Sequence, residues 1–130
     1  MALDPEVVID ASAAVCYLRR ERGWENVPQY LPIGIMSAVN YAEVFQRTLR
    51  EHANAEARVQ VLIDSGLQLI DADAALARAA AELESRTRGQ GVSLADRFCL
   101  ALAMTRGSPV LTADRPWAGL GFPIDIRLLR

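Results

Sequence analysis

The chain has 130 residues, 52% of them hydrophobic, and a formal net charge of −2 at pH 7. This length allows one substantial hydrophobic core but not two ordinary domains, so we expect a single domain over residues 1–130. All 14 basic side chains are arginine, and the absence of lysine excludes a G-K-[ST] phosphate-binding loop and a Schiff-base enzyme.

Short β-branched segments alternate along the chain with longer segments that have the period of a helix. The predicted strands are residues 7–10, 33–37, 67–71 and 109–112, with a weaker candidate at 123–126. The predicted helices are residues 13–20, 38–50, 53–64, 74–88 and 94–106. This alternation predicts parallel strands joined by right-handed helical crossovers. The expected fold class is α/β, a three-layer α/β/α sandwich with a mostly parallel central sheet.

The N-terminus and the cysteines indicate the compartment. MALDPEVVID lacks the basic start and apolar run of a signal peptide, and no stretch approaches the roughly 18 uninterrupted apolar residues that cross a bilayer. We expect a soluble, cytoplasmic protein without a membrane partner. Cys16 and Cys99 lie far apart and His52 is the single histidine, so we expect two buried, reduced thiols and no Cys/His zinc site.

Four acidic residues lie where the predicted fold brings distant segments together. Asp10 ends the first strand, and Asp114 follows the fourth strand by two residues. Glu43 lies two turns into the helix after the second strand, and Asp96 is in the first turn of the last long helix. Ligands of open parallel sheets bind outside the carboxyl ends of the strands. We therefore predict that these acids share one pocket.

Each acid also has a structural interpretation. Asp10 and Asp114 each precede a predicted helical turn and are candidate N-caps. Ser93-Leu94-Ala95-Asp96 fits a capping box, and for Asp96 taken alone this is the preferred interpretation. Glu43 lies on a largely apolar helix, where a salt bridge to one arginine would account for it.

Taken together, the four acids favour a metal site. Clustered carboxylates in apolar surroundings repel one another unless a cation joins them. Only oxygen ligands are available, which favours Mg²⁺ or Mn²⁺ over zinc or copper. Ser12 and Thr112 would add hydroxyl groups that face the metal's water shell or hold a carboxylate in place, although each is equally a routine cap or strand-end residue.

The segments VVIDASAAV, MSAVNYAEVFQR, GVSLADRFCLALA and VLTADRPW resemble, in order and spacing, the four signature segments of the PIN-domain ribonucleases. They are most similar to those of the VapC toxins of bacterial toxin–antitoxin pairs. The resemblance covers the chain from about Val7 onwards, although residues 51–90 carry no motif. It implies that the acidic metal-binding tetrad of the family falls on Asp10, Glu43, Asp96 and Asp114. The polar residues that accompany the tetrad would fall on Ser12, Asn40 and Thr112.

The same resemblance implies an activity and partners. It implies a metal-dependent endoribonuclease that uses Mg²⁺ or Mn²⁺ to activate water against an RNA phosphodiester, a cognate antitoxin protein, and a homodimer. Arg97 and Arg115 are candidates for RNA phosphate contacts, with solvated surface charge an equal alternative. Trp24, Tyr30 and Leu31 are candidates to line an antitoxin groove, although core packing is the preferred interpretation for each.

Other functions remain open on the sequence alone. A phospho-acceptor receiver module also carries acids at strand ends, but its mechanism needs a lysine, which this chain lacks. A PIN-like or receiver-like interaction module with a degenerate site would use the acids only as caps, and it predicts no effect of cations on stability. DNA in place of RNA would keep the enzyme and change its substrate.

Overall fold

The computed structural model describes residues 5–130. Five strands form one sheet, in the order β3-β2-β1-β4-β5. They are β1 (Val7–Ile9), β2 (Gly34–Ser37), β3 (Gln68–Ile70), β4 (Val110–Thr112) and β5 (Ile126–Leu128). Each neighbouring pair is parallel, with Val8 paired to Ile35 on one side and to Val110 on the other. The carboxyl ends of the strands therefore meet at one edge of the sheet.

Helices connect the strands and cover both faces of the sheet. They are α1 (Ala11–Arg19), α2 (Ala38–Glu51), α3 (Ala55–Asp64), α4 (Ala74–Glu82), α5 (Glu84–Thr87) and α6 (Leu94–Arg106). Three short 3₁₀ segments span Trp24–Asn26, Pro28–Ile33 and Arg115–Gly119. No helix within residues 5–130 is long and apolar enough to cross a membrane.

Two hydrophobic clusters lie on opposite faces of the sheet, because successive strand residues point to opposite sides. Val7 and Ile9 of β1 join a cluster with α1, α2 and α3, whereas Val8 joins a second cluster with α4 and α6. The predicted three-layer α/β/α sandwich is confirmed. Cys16 and Cys99 are buried free thiols, one in each cluster.

Two predicted elements are wrong in detail. The helix predicted over 74–88 is divided at Leu83, whose backbone N–H donates to the Ala80 carbonyl three residues back and tightens the chain out of the α-helical pattern. The strand candidate at 123–126 was placed too early, since β5 is Ile126–Leu128. Pro123 has no N–H to offer a strand ladder. By contrast, α6 has the predicted bounds, and each of the other four predicted strands contains an observed one.

Candidate active site

The four acids lie near the carboxyl edge of the sheet, and Asp96 interacts electrostatically with both Asp10 and Asp114. Asp10 directly follows β1 and Asp114 follows its neighbour β4, while Glu43 lies on α2 and Asp96 on α6. The charges of Asp96 and Glu43 both raise the pKa of Asp10, and the charge of Asp96 raises that of Asp114. The structure thus brings residues more than 100 positions apart into one electrostatic environment.

Asp10 is a buried carboxylate, 2% exposed, that is held by two hydroxyl groups. Ser12 Oγ and Thr112 Oγ1 both donate to Asp10 Oδ2, at 2.5 and 2.8 Å. Each hydroxyl in turn accepts a backbone N–H, at 3.0 Å, from Ala113 and Asp114 respectively. These bonds tie the ends of β1 and β4 together. They also place the hydroxyl groups of Ser12 and Thr112 on the Asp10 carboxylate.

The surroundings of Asp10 disfavour its charge. Burial raises the pKa of Asp10 to about 6, the charges of Asp96 and Glu43 add to the shift, and the hydrogen bonds from Ser12 and Thr112 oppose it. No basic side chain among the described residues forms an ion pair with Asp10. The carboxylate is therefore stabilised by hydrogen bonds alone, which leaves a favourable position for a cation.

Glu43 is half-buried and is held by an amide instead of an arginine. Asn40 Nδ2 donates to Glu43 Oε1 at 3.1 Å and to the carbonyl of Ala95 at 2.9 Å. Asn40 itself is 1% exposed. The salt bridge considered from the sequence is not formed in the described chain, since its ion pairs involve other acids.

The capping interpretation is correct for one of the three aspartates and wrong for the other two. For Asp96 it is confirmed, since Ser93 N–H donates to Asp96 Oδ2 at 2.9 Å and Asp96 N–H donates to Ser93 Oγ at 3.1 Å. For Asp10 and Asp114 it is wrong. Both occupy N-cap positions, of α1 and of the Arg115–Gly119 segment, but neither side chain makes a capping hydrogen bond. Their carboxylates are thus available for another partner.

Asp114 lies beside a tryptophan. Burial is the main cause that raises the pKa of Asp114, the charge of Asp96 adds to it, and a hydrogen bond from the Trp117 side chain lowers it. Trp117 is 2% exposed and packs in the cluster formed with α4 and α6. A residue of the core therefore helps to hold the fourth acid.

The thiol of Cys99, one turn after Asp96 on α6, shows how the acids converge. Burial raises its pKa well above the usual value, and the charges of Asp10, Asp96 and Glu43 raise it further. Three acids therefore surround one turn of α6. Nevertheless, within residues 5–130 no three His, Cys, Asp or Glu side chains lie close enough together to hold a metal ion as placed.

The donor set itself fits a hard divalent cation. Asp10, Glu43 and Asp96 each accept hydrogen bonds through one carboxylate oxygen, and the second oxygen of each has no such bond to residues 5–130. Mg²⁺ commonly keeps several waters and takes only one or two carboxylates directly. Such a hydrated ion suits acids that are coupled but not in mutual contact.

Comparison with known proteins assigns the chain to a family. A family model described as PIN domain matches residues 7–122. The chain belongs to the PIN domain family. No curated protein matches it.

Solved structures share the fold of this PIN domain. A DNA-bound VapBC from Salmonella typhimurium is 17% identical with a TM-score of 0.74, covering 98% of this chain and 100% of that chain. A toxin–antitoxin complex from Klebsiella pneumoniae is 16% identical with a TM-score of 0.77, covering 96% and 98%. VapC20 of Mycobacterium tuberculosis, a toxin that cleaves the sarcin–ricin loop, is 19% identical with a TM-score of 0.69, covering 90% and 96%.

The two candidate arginines of the PIN domain differ in environment. Arg115 is exposed at the start of its 3₁₀ segment, whereas Arg97 is half-buried beside Asp96. Arg97 Nε is a buried nitrogen without a hydrogen-bond partner in the described residues. The pKa of Glu84 on α5 is lowered mainly by a hydrogen bond from Arg88, and the charge of Arg97 also lowers it.

Of the three residues considered for an antitoxin groove, Leu31 is 1% exposed and cannot line one. Trp24 and Tyr30 are half-buried and pack against the cluster formed with α1, α2 and α3. The core interpretation is therefore correct for Leu31.

Sequence reasoning missed two residues that lie beside the acids or beside their partners. Trp117 was considered only as part of a turn, and its contact with Asp114 depends on how the segment after β4 folds back. Ser37 was not singled out, although a serine that ends a strand three residues before an asparagine is a recognisable N-cap signal. In the structure Ser37 Oγ accepts the Asn40 N–H.

Proposed function

We propose that the protein is a metal-dependent endoribonuclease and the toxin of a toxin–antitoxin pair. The observation that carries this proposal is the Asp10 carboxylate, buried, held by two hydroxyl groups and without a basic partner in the described chain. A buried charge without a counter-ion is costly. A divalent cation at this edge would relieve that cost, and membership of the PIN domain family supports a nuclease.

Asp10, Glu43, Asp96 and Asp114 would hold Mg²⁺ or Mn²⁺. When bound, such an ion lowers the pKa of water and offsets the negative charge that develops on the reacting phosphate. The protein's own residues contribute by holding the carboxylates in position. Ser12 and Thr112 hold the Asp10 carboxylate through one oxygen, and the Ser93 backbone holds that of Asp96 in the same way. No side-chain nucleophile is required.

The proposed substrate is single-stranded RNA. Arg97 and Arg115 flank two of the acids in sequence, and they would bind phosphate oxygens bidentately. The net charge of −2 disfavours tight, indiscriminate nucleic-acid binding and favours selective cleavage of exposed loops.

The proposal includes partners and a compartment. The similar structures from Salmonella typhimurium and Klebsiella pneumoniae contain a toxin with its antitoxin, and we extend this to a cognate antitoxin here. A homodimer and a cytoplasmic location belong to the same proposal. The two buried free thiols are compatible with a reducing compartment.

An experiment on purified protein tests the proposed activity. Total RNA is incubated with wild type in Mn²⁺ or EDTA, and new 5′ ends are mapped by sequencing. We expect defined cuts in Mn²⁺ that disappear in EDTA and with Asp10→Asn. Asp125→Asn is the matched control, since Asp125 is exposed just before β5 and so lies at the opposite edge of the sheet. Equal cutting by wild type and Asp10→Asn would show that the nuclease is a contaminant or that the site is elsewhere.

One observation favours a second candidate, a PIN-like interaction module without catalysis. Within the described residues the acids are not close enough together to form a metal site as placed. This alternative predicts that neither Mg²⁺ nor Mn²⁺ changes the melting temperature of the protein at any concentration. A ligand at about 100 times its dissociation constant would instead stabilise the folded state by roughly 2.7 kcal/mol, so thermal melts with EDTA and with excess Mg²⁺ separate the two.

A further inference from the structure

A buried asparagine links the two helices that carry Glu43 and Asp96. Asn40 lies on α2 and is 1% exposed. Its Nδ2 donates to Glu43 Oε1 on the same helix and to the carbonyl of Ala95 in the first turn of α6. Ala95 directly precedes Asp96. One amide group therefore contacts an acid of the site and the backbone that presents another.

The orientation of this amide is determined by its partners. A carboxylate and a backbone carbonyl can only accept hydrogen bonds, so the NH₂ group of Asn40 must face both of them. The amide oxygen then needs a donor on the other side. Ser37 Oγ supplies it, donating to Asn40 Oδ1 at 2.6 Å.

Ser37 is itself fully buried and occupies the N-cap of α2. Its hydroxyl oxygen accepts the Asn40 backbone N–H at 3.2 Å, and its proton goes to the Asn40 side chain. If the amide turned over, its oxygen would face two acceptors and its NH₂ group would face the Ser37 hydroxyl. Ser37 thus caps the start of α2 and supplies the donor that the amide oxygen needs.

We propose that Ser37 and Asn40 act as a positioning pair that sets the placement of Glu43 relative to Asp96 for cation binding. This inference rests on the metal-dependent function proposed above. No strand pairing fixes the approach of α2 to α6, and the Asn40–Ala95 bond joins residues 55 positions apart. Groups that orient metal ligands through hydrogen bonds typically change metal affinity by roughly 10- to 100-fold when they are removed.

Asn40→Asp is the sharpest single variant. It keeps the size of the side chain and can still accept from Ser37, but it places an acceptor oxygen against Glu43 and the Ala95 carbonyl. We expect the dissociation constant for Mn²⁺, measured by calorimetry on the full chain, to rise by at least about tenfold. RNA cleavage should lose kcat with little change in KM, because the pair does not contact RNA.

Two variants of Ser37 test its hydroxyl group, one that removes the group and one that retains it. Ser37→Ala removes the hydroxyl and leaves the Asn40 amide oxygen and backbone N–H without this partner, whereas Ser37→Thr retains both the cap and the donor. We expect weakened Mn²⁺ binding for Ser37→Ala and nearly wild-type binding for Ser37→Thr. The control is Thr48→Val, because Thr48 is buried on the same helix and its hydroxyl bonds only the Val44 carbonyl. Thr48→Val should change the melting temperature without changing Mn²⁺ affinity.

The outcomes distinguish this inference from the proposed function. If wild type binds Mn²⁺ and both Asn40→Asp and Ser37→Ala bind it equally well, the positioning pair is wrong and the nuclease proposal stands. If wild type neither binds Mn²⁺ nor cleaves RNA, the proposed function fails and the positioning pair is overturned with it. Should Asn40→Asp not fold, the comparison of Ser37→Ala with Ser37→Thr decides.

Discussion

The two sides of the candidate site are built differently. On the strand side, Asp10 is buried at the end of β1 and is held by hydroxyl groups whose spacing follows from the pairing of β1 with β4. On the helix side, Glu43 and Asp96 are half-buried on α2 and α6. The position of Glu43 relative to Asp96 depends on the hydrogen bonds that the Asn40 amide makes. On the strand side, the Asp10 carboxylate is therefore held rigidly, in surroundings that disfavour its charge unless a cation is bound. On the helix side, the positions of the acids depend on a few specific side chains.

The largest effect is expected for Asp96→Asn, which tests whether Asp96 serves catalysis or only caps α6. Asp96→Asn keeps an oxygen that can accept the Ser93 N–H, so we expect the folded stability to change by less than about 1 kcal/mol. Loss of the anionic charge should reduce RNA cleavage by at least about 100-fold, equivalent to roughly 3 kcal/mol of transition-state stabilisation. Cleavage rates and thermal melts on the same preparation measure both quantities.

The control for this variant is Asp73→Asn, since Asp73 is exposed and caps α4 by accepting the Leu76 N–H. It should lose no activity. A folded Asp96→Asn protein with wild-type cleavage would reduce Asp96 to a cap and leave the helix side with Glu43 alone.

On the strand side, we expect metal-free stability to fall as the pH rises. The pKa of Asp10 is about 6 in the folded protein against a usual value of 3.8, so between these values the folded state binds more protons than the unfolded chain. The contribution of this group to stability is therefore most favourable below about pH 4 and declines by on the order of 3 kcal/mol as the pH rises through 6.

The measurement is the difference in unfolding free energy between wild type and Asp10→Asn, in EDTA, from about pH 4 to about pH 7. Taking the difference cancels the titration of acids that do not interact with Asp10, including the ion-paired Glu51 and Glu84, whose pKa values are lowered by their arginine partners. A difference that stays constant across this range would contradict a buried, ionised Asp10.

A smaller effect is expected for the hydroxyl that joins the two strands. Thr112→Val is nearly isosteric but removes both the donor to Asp10 and the acceptor for the Asp114 N–H. We expect a loss of about 1 to 3 kcal/mol in unfolding free energy at neutral pH. Denaturant unfolding measures it. The loss should shrink in Asp10→Asn, which has no charge to stabilise, and an equal loss in both backgrounds would mean that Thr112 does not act through Asp10.

The smallest expected effect concerns the rim of the site. Arg97→Gln should raise the KM for RNA several-fold and reduce the salt dependence of binding by about one counter-ion, while kcat stays nearly unchanged. Arg78→Gln, a change of an exposed arginine on α4, is the matched control. Equal KM values for the two variants would assign Arg97 to ordinary surface charge.

Local signals account for the parts of the structure that the sequence predicted well. The Ser93–Asp96 capping box and the glycine at 107 bound α6, and the structure has both the predicted bonds and the predicted ends. The strand positions were also predicted well, because β-branched runs are a local signal. Where the backbone departs locally from the regular pattern, at the turn of Leu83 and at Pro123, the predicted boundaries were wrong.

In the candidate site too, some features could be predicted from the sequence and others could not. The types and positions of the four acids were visible in the sequence, as was the likeness of their four segments to PIN-domain ribonucleases. The sequence indicated the capping box of Asp96, but it could not show that Asp10 and Asp114 occupy N-cap positions without making side-chain capping bonds.

By itself, the sequence determined the order of strands and helices, the oxygen-only set of candidate ligands and the capping of α6, because each depends on residues within a few positions of one another. Tertiary structure decided the hydrogen bonds between distant segments of the site. Thr112 reaches Asp10 from 102 positions away, and Asn40 reaches Ala95 from 55. Such hydrogen bonds form only after the sheet has brought the ends of its strands together and packed α2 against α6, so no local pattern encodes them.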